Sequence, residues 1–152
     1  MQPLPFPYAL NIGTDVVHLP RILRLIGQRG ARSKENYLDK FTRRILCQQE
    51  QQDFRTRFAV HNHADSPSKV TPDMARWLAG RFAAKEAARK AAPGGASSIG
   101  WKDVLVRAAP STAAGSGRPE VVYLGVESRV GKLSISHDGE YIVATVLAAD
   151  DR

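Results

Sequence analysis

Apolar positions along the chain change their spacing several times, and each change marks an element. From Tyr8 to Val17 they alternate, with Tyr8, Leu10 and Ile12 on one side, which predicts a strand. Gly13 lies inside it, where a glycine permits close backbone approach, and Asp15 sits near its end. Pro20 opens a helix to about Gln28 with Ile22, Leu25 and Ile26 turned inward. Tyr37 to Phe54 reads as one further helix with Phe41, Ile45 and Phe54 as its apolar points. Thr71-Pro72-Asp73 then supplies an N-cap, a first-turn proline and an acidic residue suited to the helix dipole. The helix they start carries Trp77 to Ala91, with Leu78, Phe82 and Ala83 near one face, and stops at Ala92-Pro93-Gly94-Gly95.

The second half reverts to strand spacing. A turn over residues 94–100 leads to strands at Val104 to Ala108 and Glu120 to Leu124. Val130 to His137 and Glu140 to Ala148 form a hairpin closed by Asp138-Gly139, which leaves His137 at a strand tip. Two polar stretches read as surface loops: residues 55–70, with His61-Asn62-His63 and Asp65-Ser66-Pro67-Ser68, and residues 110–119, rich in Ser, Thr, Ala and Gly. There is no internal repeat, so the 152 residues form a single domain, with residues 1–7 as a proline-rich N-terminal extension.

Composition narrows the class. A hydrophobic content of 43% argues against disorder, and no apolar run approaches the ~20 residues that span a bilayer. The lone Cys47 excludes an intramolecular disulfide and a multi-cysteine zinc site, and points to a reducing intracellular compartment. Residues 1–7 lack the basic start and apolar centre of a secretory signal, and the arginines of a typical mitochondrial presequence. The formal charge of +7 is concentrated: residues 20–46 hold eight basic side chains against two acidic ones. Such a patch attracts an acidic partner, unless it is a solvated face with none.

Candidate chemistry is weak position by position. Asp15 reads as a cap or a ligand. Glu86 and Lys90, four apart on the long helix, read as a surface ion pair or as two groups of one site. His137 reads as an exposed turn histidine or as one facing a cleft. His61 and His63 have metal-ligand types but no second pair beside them.

The strings around the first three positions are more specific. Asn11-Ile12-Gly13-Thr14-Asp15-Val16-Val17, Arg81-Phe82-Ala83-Ala84-Lys85-Glu86-Ala87-Ala88-Arg89-Lys90-Ala91 and Leu133-Ser134-Ile135-Ser136-His137-Asp138 occur in that order. Together they resemble the short 4′-phosphopantetheinyl transferases, the holo-acyl-carrier-protein synthases. Phe41 to Glu50 and Gly117-Arg118-Pro119 add matches between them. The chain departs from the compact bacterial pattern in longer connections at residues 28–40, 55–73 and 111–116, and in Asp138 after the histidine. Those insertions suggest a eukaryotic stand-alone enzyme, mitochondrial, with the cytoplasm as the alternative.

The resemblance implies an α+β fold, a small antiparallel sheet packed on the long helix, assembled as a homotrimer. It implies magnesium-dependent transfer of phosphopantetheine from coenzyme A to a serine of acyl carrier protein, releasing adenosine 3′,5′-bisphosphate. Asp15 and Glu86 match the metal ligands, and Glu86, Lys90 and His137 the catalytic positions. Coenzyme A contacts are implied for Arg81, Lys85, Lys90, Ser136 and His137. Arg21, Arg24 and Leu25 match the surface that docks the acidic carrier helix. The residue types suit the reaction, since magnesium takes one or two carboxylates plus phosphates and water. Three rivals remain: a basic nucleic-acid-binding module, a metal-dependent phosphohydrolase on Asp15, Glu86 and His137, and a catalytically silent relative. The first lacks a stacking array, because residues 29–39 contain one aromatic, Tyr37.

Overall fold

The computed structural model describes residues 1–27, 36–59, 69–110 and 117–150. Strand β1 (Leu10–His18) is followed by three short helices, α1 (Leu19–Gly27), α2 (Tyr37–Ile45) and α3 (Gln48–Phe58). Helix α4 (Pro72–Ala91) has 20 residues. A 3-10 turn at Trp101–Asp103 then leads to β2 (Val104–Ala108), β3 (Pro119–Tyr123), β4 (Arg129–Asp138) and β5 (Tyr141–Ala149). The strands form one antiparallel sheet in the order β1-β5-β4-β3-β2. Among the described residues, no helix is long and apolar enough to cross a membrane.

Helix α4 lies against the sheet because its sequence lets it approach closely. Ala83, Ala84, Ala87, Ala88 and Ala91 are all fully buried, and small side chains bring the helix axis near β1 and β5. Gly13 completes the contact. A Cβ on this residue would sit 2.0 Å from the Ala87 carbonyl oxygen, so β1 meets α4 main chain to main chain. The start of α4 follows the sequence: Thr71 accepts from the Met74 N–H at 3.2 Å, with Pro72 in the first turn.

Its last turn tightens, with the Ala92 N–H bonded to the Arg89 carbonyl. The Ala88 carbonyl instead receives the Tyr123 hydroxyl at 2.8 Å, so β3 caps the helix from the sheet. Burial pushes the Tyr123 phenol up to about 12 from 10. A phenol whose pKa is raised by folding contributes its full stability below the unfolded value near 10, and loses it as pH climbs towards about 12. Tyr123→Phe is therefore expected to lower stability at neutral pH by about 1 kcal/mol in urea melts. It should also flatten the alkaline decline that the parent protein shows.

Three elements differ from the sequence expectation. The helix expected over Tyr37 to Phe54 is two helices, broken at Leu46, which is fully buried with an extended backbone. The break is stabilised by Glu50, whose carboxylate reaches back to the Cys47 N–H at 3.0 Å. Helix α3 also runs on through Arg55–Phe58, which pattern alone assigned to a loop, before Ala59 turns left-handed at φ 47°. In the hairpin, Asp138 pairs with Tyr141, so the turn is Gly139-Glu140 rather than Asp138-Gly139. Gly139 has φ +54°, and a glycine at the first of two turn positions suits the hand of a tight hairpin.

The sheet has two unlike faces. Gly13, Asp15, Val17, Ala144, Val146 and Leu133 point towards α4. On the other face Leu10, Ile12, Val16, Val143 and Leu147 are exposed, around a Thr14–Thr145 hydroxyl bond of 2.8 Å.

Candidate active site

Asp15 and the α4 groups meet where β1 crosses the helix. The Lys90 ammonium donates to the Thr14 carbonyl at 2.8 Å and to Asp15 Oδ1 at 3.1 Å. Glu86 lies one turn earlier on the same face of α4, so both carboxylates border one helix face. The Glu86–Lys90 surface pair allowed by their spacing does not form. Lys90 goes to β1, and Glu86 Oε1 accepts from Arg89 Nη1 at 2.8 Å and from the Trp101 indole N–H. Side-chain exposures of 17% for Asp15, 20% for Glu86 and 46% for Lys90 describe a shallow polar recess rather than a buried network.

Two half-buried carboxylates beside a lysine fit a hard divalent cation, with the remaining ligands from substrate oxygens and water. Among the described residues, no group of three or more His, Cys, Asp or Glu side chains is gathered to hold a metal by itself.

The other expected site residues are more scattered. His137 lies on the α4 side of the sheet, exposed, paired with Ile142, which in turn pairs with Val17. Strand β5 thus separates it from Asp15. Ser136 is on the opposite face by strand alternation, so one chain does not bring Ser136 and His137 together. Arg81 and Lys85 look towards α3, away from Glu86. The Arg81 guanidinium stacks on Trp77 at 3.4 Å, and desolvation there lowers its pKa to about 10.

Lys85 is a correction to the expected coenzyme A contacts. Its side chain is 0% exposed, as is that of Glu50, and the two pair at 2.6 Å. Its other hydrogen bonds go to the Trp101 carbonyl at 2.9 Å and to the Val104 carbonyl. Glu50 in turn accepts from the Cys47 and Val106 N–H groups, both at 3.0 Å. Every polar position of the pair is used inside the protein, so Lys85 organises the core under the recess and has no face for a ligand.

On α1, Ile22 and Ile26 are buried, whereas Leu25, expected inward by periodicity, is 38% exposed. It shares the outer face with Arg21, four residues earlier, and with Arg24 beside them, all exposed. Arg29, Arg32, Lys34, His61, His63 and the 111–116 segment lie outside the described residues. Cys47 is buried and its thiol pKa is raised, chiefly by burial, which suits a packed side chain rather than a nucleophile. Sequence reasoning missed Trp101 and Arg89. Both flank Glu86 from positions whose pattern reads as an ordinary turn and helix end.

The family model of the 4′-phosphopantetheinyl transferase superfamily matches residues 11–146. A relative from Aspergillus fumigatus, "4′-phosphopantetheinyl transferase B, mitochondrial", is 62% identical over 161 aligned positions, covering 98% of this chain and 99% of that one. A holo-[acyl-carrier-protein] synthase from Gloeobacter violaceus is 38% identical over 90% of this chain and 89% of its own length. Among solved structures, a holo-(acyl-carrier-protein) synthase from Bacillus anthracis in complex with CoA (3′,5′-ADP) superposes with a TM-score of 0.61. It is 29% identical and covers 93% of this chain and 96% of that one.

Proposed function

The chain belongs to the 4′-phosphopantetheinyl transferase superfamily, and on that footing we propose that the recess between β1 and α4 is where it works as a holo-acyl-carrier-protein synthase. The enzyme transfers 4′-phosphopantetheine from coenzyme A to a serine of apo acyl carrier protein. The serine oxygen bonds to the phosphorus on the pantetheine side. The bond from that phosphorus to the bridging oxygen breaks, and adenosine 3′,5′-bisphosphate leaves. The observation that carries this reading is the Lys90–Asp15 contact beside the Gly13–Ala87 approach, with Glu86 one turn earlier than Lys90 on the same face of α4.

Asp15 and Glu86 would hold magnesium, which when bound would neutralise charge on the diphosphate. Lys90, half exposed, lends its remaining hydrogen-bonding capacity to the same oxygens. Glu86 takes the serine proton, directly or through a water. The metal-dependent phosphohydrolase reading would use the same carboxylates on water, with no protein acceptor. Incubation with magnesium, coenzyme A and purified apo carrier protein separates the two. A carrier mass raised by one phosphopantetheine supports transfer. An unchanged carrier with released phosphate overturns it.

Arg21, Arg24 and Leu25 form the carrier-docking surface, two cations around an exposed apolar side chain. Charge reversal at Arg21 or Arg24 is expected to raise the carrier KM about tenfold and to weaken its salt dependence. Calorimetric affinity for coenzyme A should stay the same.

The active assembly is a homotrimer. The exposed apolar face of Leu10, Ile12, Val16, Val143 and Leu147 supports self-association, since a contiguous face of this kind marks an interface. His137 then serves the site of a neighbouring subunit, which fits its separation from Asp15 by β5. Mixing inactive Asp15→Ala and His137→Ala proteins under subunit exchange should restore about one quarter of the sites. Mixing Asp15→Ala with Glu86→Ala should restore none. The enzyme resides in mitochondria, a reading supported by the name of the Aspergillus relative and tested by cell fractionation.

A further inference from the structure

We infer that Trp101 is a positioning residue for Glu86, and that the buried Glu50–Lys85 pair is what holds Trp101 in place. Two donors converge on one carboxylate oxygen. Glu86 Oε1 accepts from Arg89 Nη1 and from the Trp101 indole N–H, while Oε2 accepts no hydrogen bond from the described residues. The carboxylate is therefore held by one oxygen and open at the other. Neither donor is loosely placed. Arg89 is tied through Nε to the Ile99 carbonyl at 2.8 Å. The Trp101 ring has its centroid 5.9 Å from that of Phe82, and the guanidinium carbons of Arg44 and Arg89 lie 5.3 and 5.1 Å from it.

The backbone under the indole is fixed as well. Lys85 donates to the carbonyls of Trp101 and Val104, so the start of the 3-10 turn and the residue that follows it hang on one ammonium. Glu50 locks that ammonium, and is itself locked by the Cys47 and Val106 N–H groups. The consecutive residues Lys85 and Glu86 thus divide two tasks. One holds the turn from inside the core, and the other receives the indole that the turn presents.

This inference rests on the reading of Glu86 as a metal ligand. A hydrogen-bond partner that orients a ligand typically changes metal affinity about ten- to a hundredfold when removed. The test measures manganese, an EPR-visible stand-in for magnesium, binding to the full-length protein in the presence of coenzyme A. Two replacements remove the N–H: Trp101→Phe, which also shrinks the ring, and incorporation at position 101 of benzothienylalanine, which keeps the shape of the ring with sulfur in place of the nitrogen. Both are expected to bind manganese at least about tenfold more weakly and to have lower kcat at limiting metal, recovered at high metal. The carrier KM should stay the same.

A purely structural role for Trp101 predicts lower melting temperatures with unchanged manganese affinity, and that result overturns the inference. The benzothienylalanine protein keeps the test open should the phenylalanine variant not fold. Glu86→Gln separates the two levels. If it binds manganese like the parent, the metal reading of Glu86 fails. If it loses manganese while both Trp101 replacements bind normally, the positioning role alone fails.

Discussion

Glu86→Ala is expected to cut phosphopantetheine transfer by at least about a hundredfold, and Asp15→Ala to do the same, while both proteins stay folded. The size of the effect comes from where charge develops. Breaking a diphosphate places negative charge on oxygens that, in the proposed site, the two carboxylates would neutralise through a bound cation and Lys90 directly. Preservation of the fold comes from position. Asp15 and Glu86 both reach solvent, and neither belongs to the apolar cluster between α4 and the sheet. The partners they leave behind, Lys90 beside Asp15 and Arg89 and Trp101 beside Glu86, are exposed or only partly buried, so water can reach the groups left unpaired. Circular dichroism and the carrier-mass assay together check the outcome. A folded Glu86→Ala protein with near-normal turnover removes Glu86 from the chemistry.

Lys85→Met should do the reverse: large loss of stability, with its effect on the reaction following from that loss. Removing one member of a fully buried pair leaves the other charge without its partner, at a cost of about 3–5 kcal/mol. That is a large part of the ~5–15 kcal/mol by which a domain is stable. Burial pulls the Lys85 ammonium below its ordinary pKa, and Glu50 pulls it back up, so the pair is held by geometry rather than by an easy environment. Methionine matches the length of the lysine stem but offers nothing to Glu50 or to the Trp101 and Val104 carbonyls. Urea melts together with coenzyme A kinetics test this. A variant with unchanged stability and a raised coenzyme A KM would return Lys85 to the ligand-contact role that the motif suggests.

The contrast between Glu86 and Lys85 shows how far the sequence could be read. Helix α4 was legible because its signals are local: Thr71 and Pro72 at one end, Pro93 and Gly94 at the other, and an apolar face between. The hairpin was legible to within one residue for the same reason. The role of Lys85 was not, because its partner Glu50 is 35 positions away and a charged residue in a helix reads as surface. The break at Leu46-Cys47 had a signal that went unused. Cys47 stands three residues before Glu50 in the place that serine or threonine takes in a capping box. Trp101 gave no signal at all, since nothing in a Gly-Trp-Lys-Asp turn says which carboxylate the indole will find. Asp15, Glu86 and Lys90 stand out through the ordered motifs, and pattern alone leaves each of them ambiguous.

The Gly13–Ala87 contact acts as a ruler. Main chain meets main chain there, between Asp15, two residues along β1, and Glu86, beside Ala87 on α4, so no side chain spaces strand from helix at that point. Mutation elsewhere in the core can loosen or tighten packing without resetting that span. With Asp15 and Glu86 as the proposed ligands, selection between a small cation that insists on tight octahedral geometry and a larger, more tolerant one would fall to the backbone. A single methyl group at Gly13, 2.0 Å from the Ala87 carbonyl oxygen, would push strand and helix apart and change the scale.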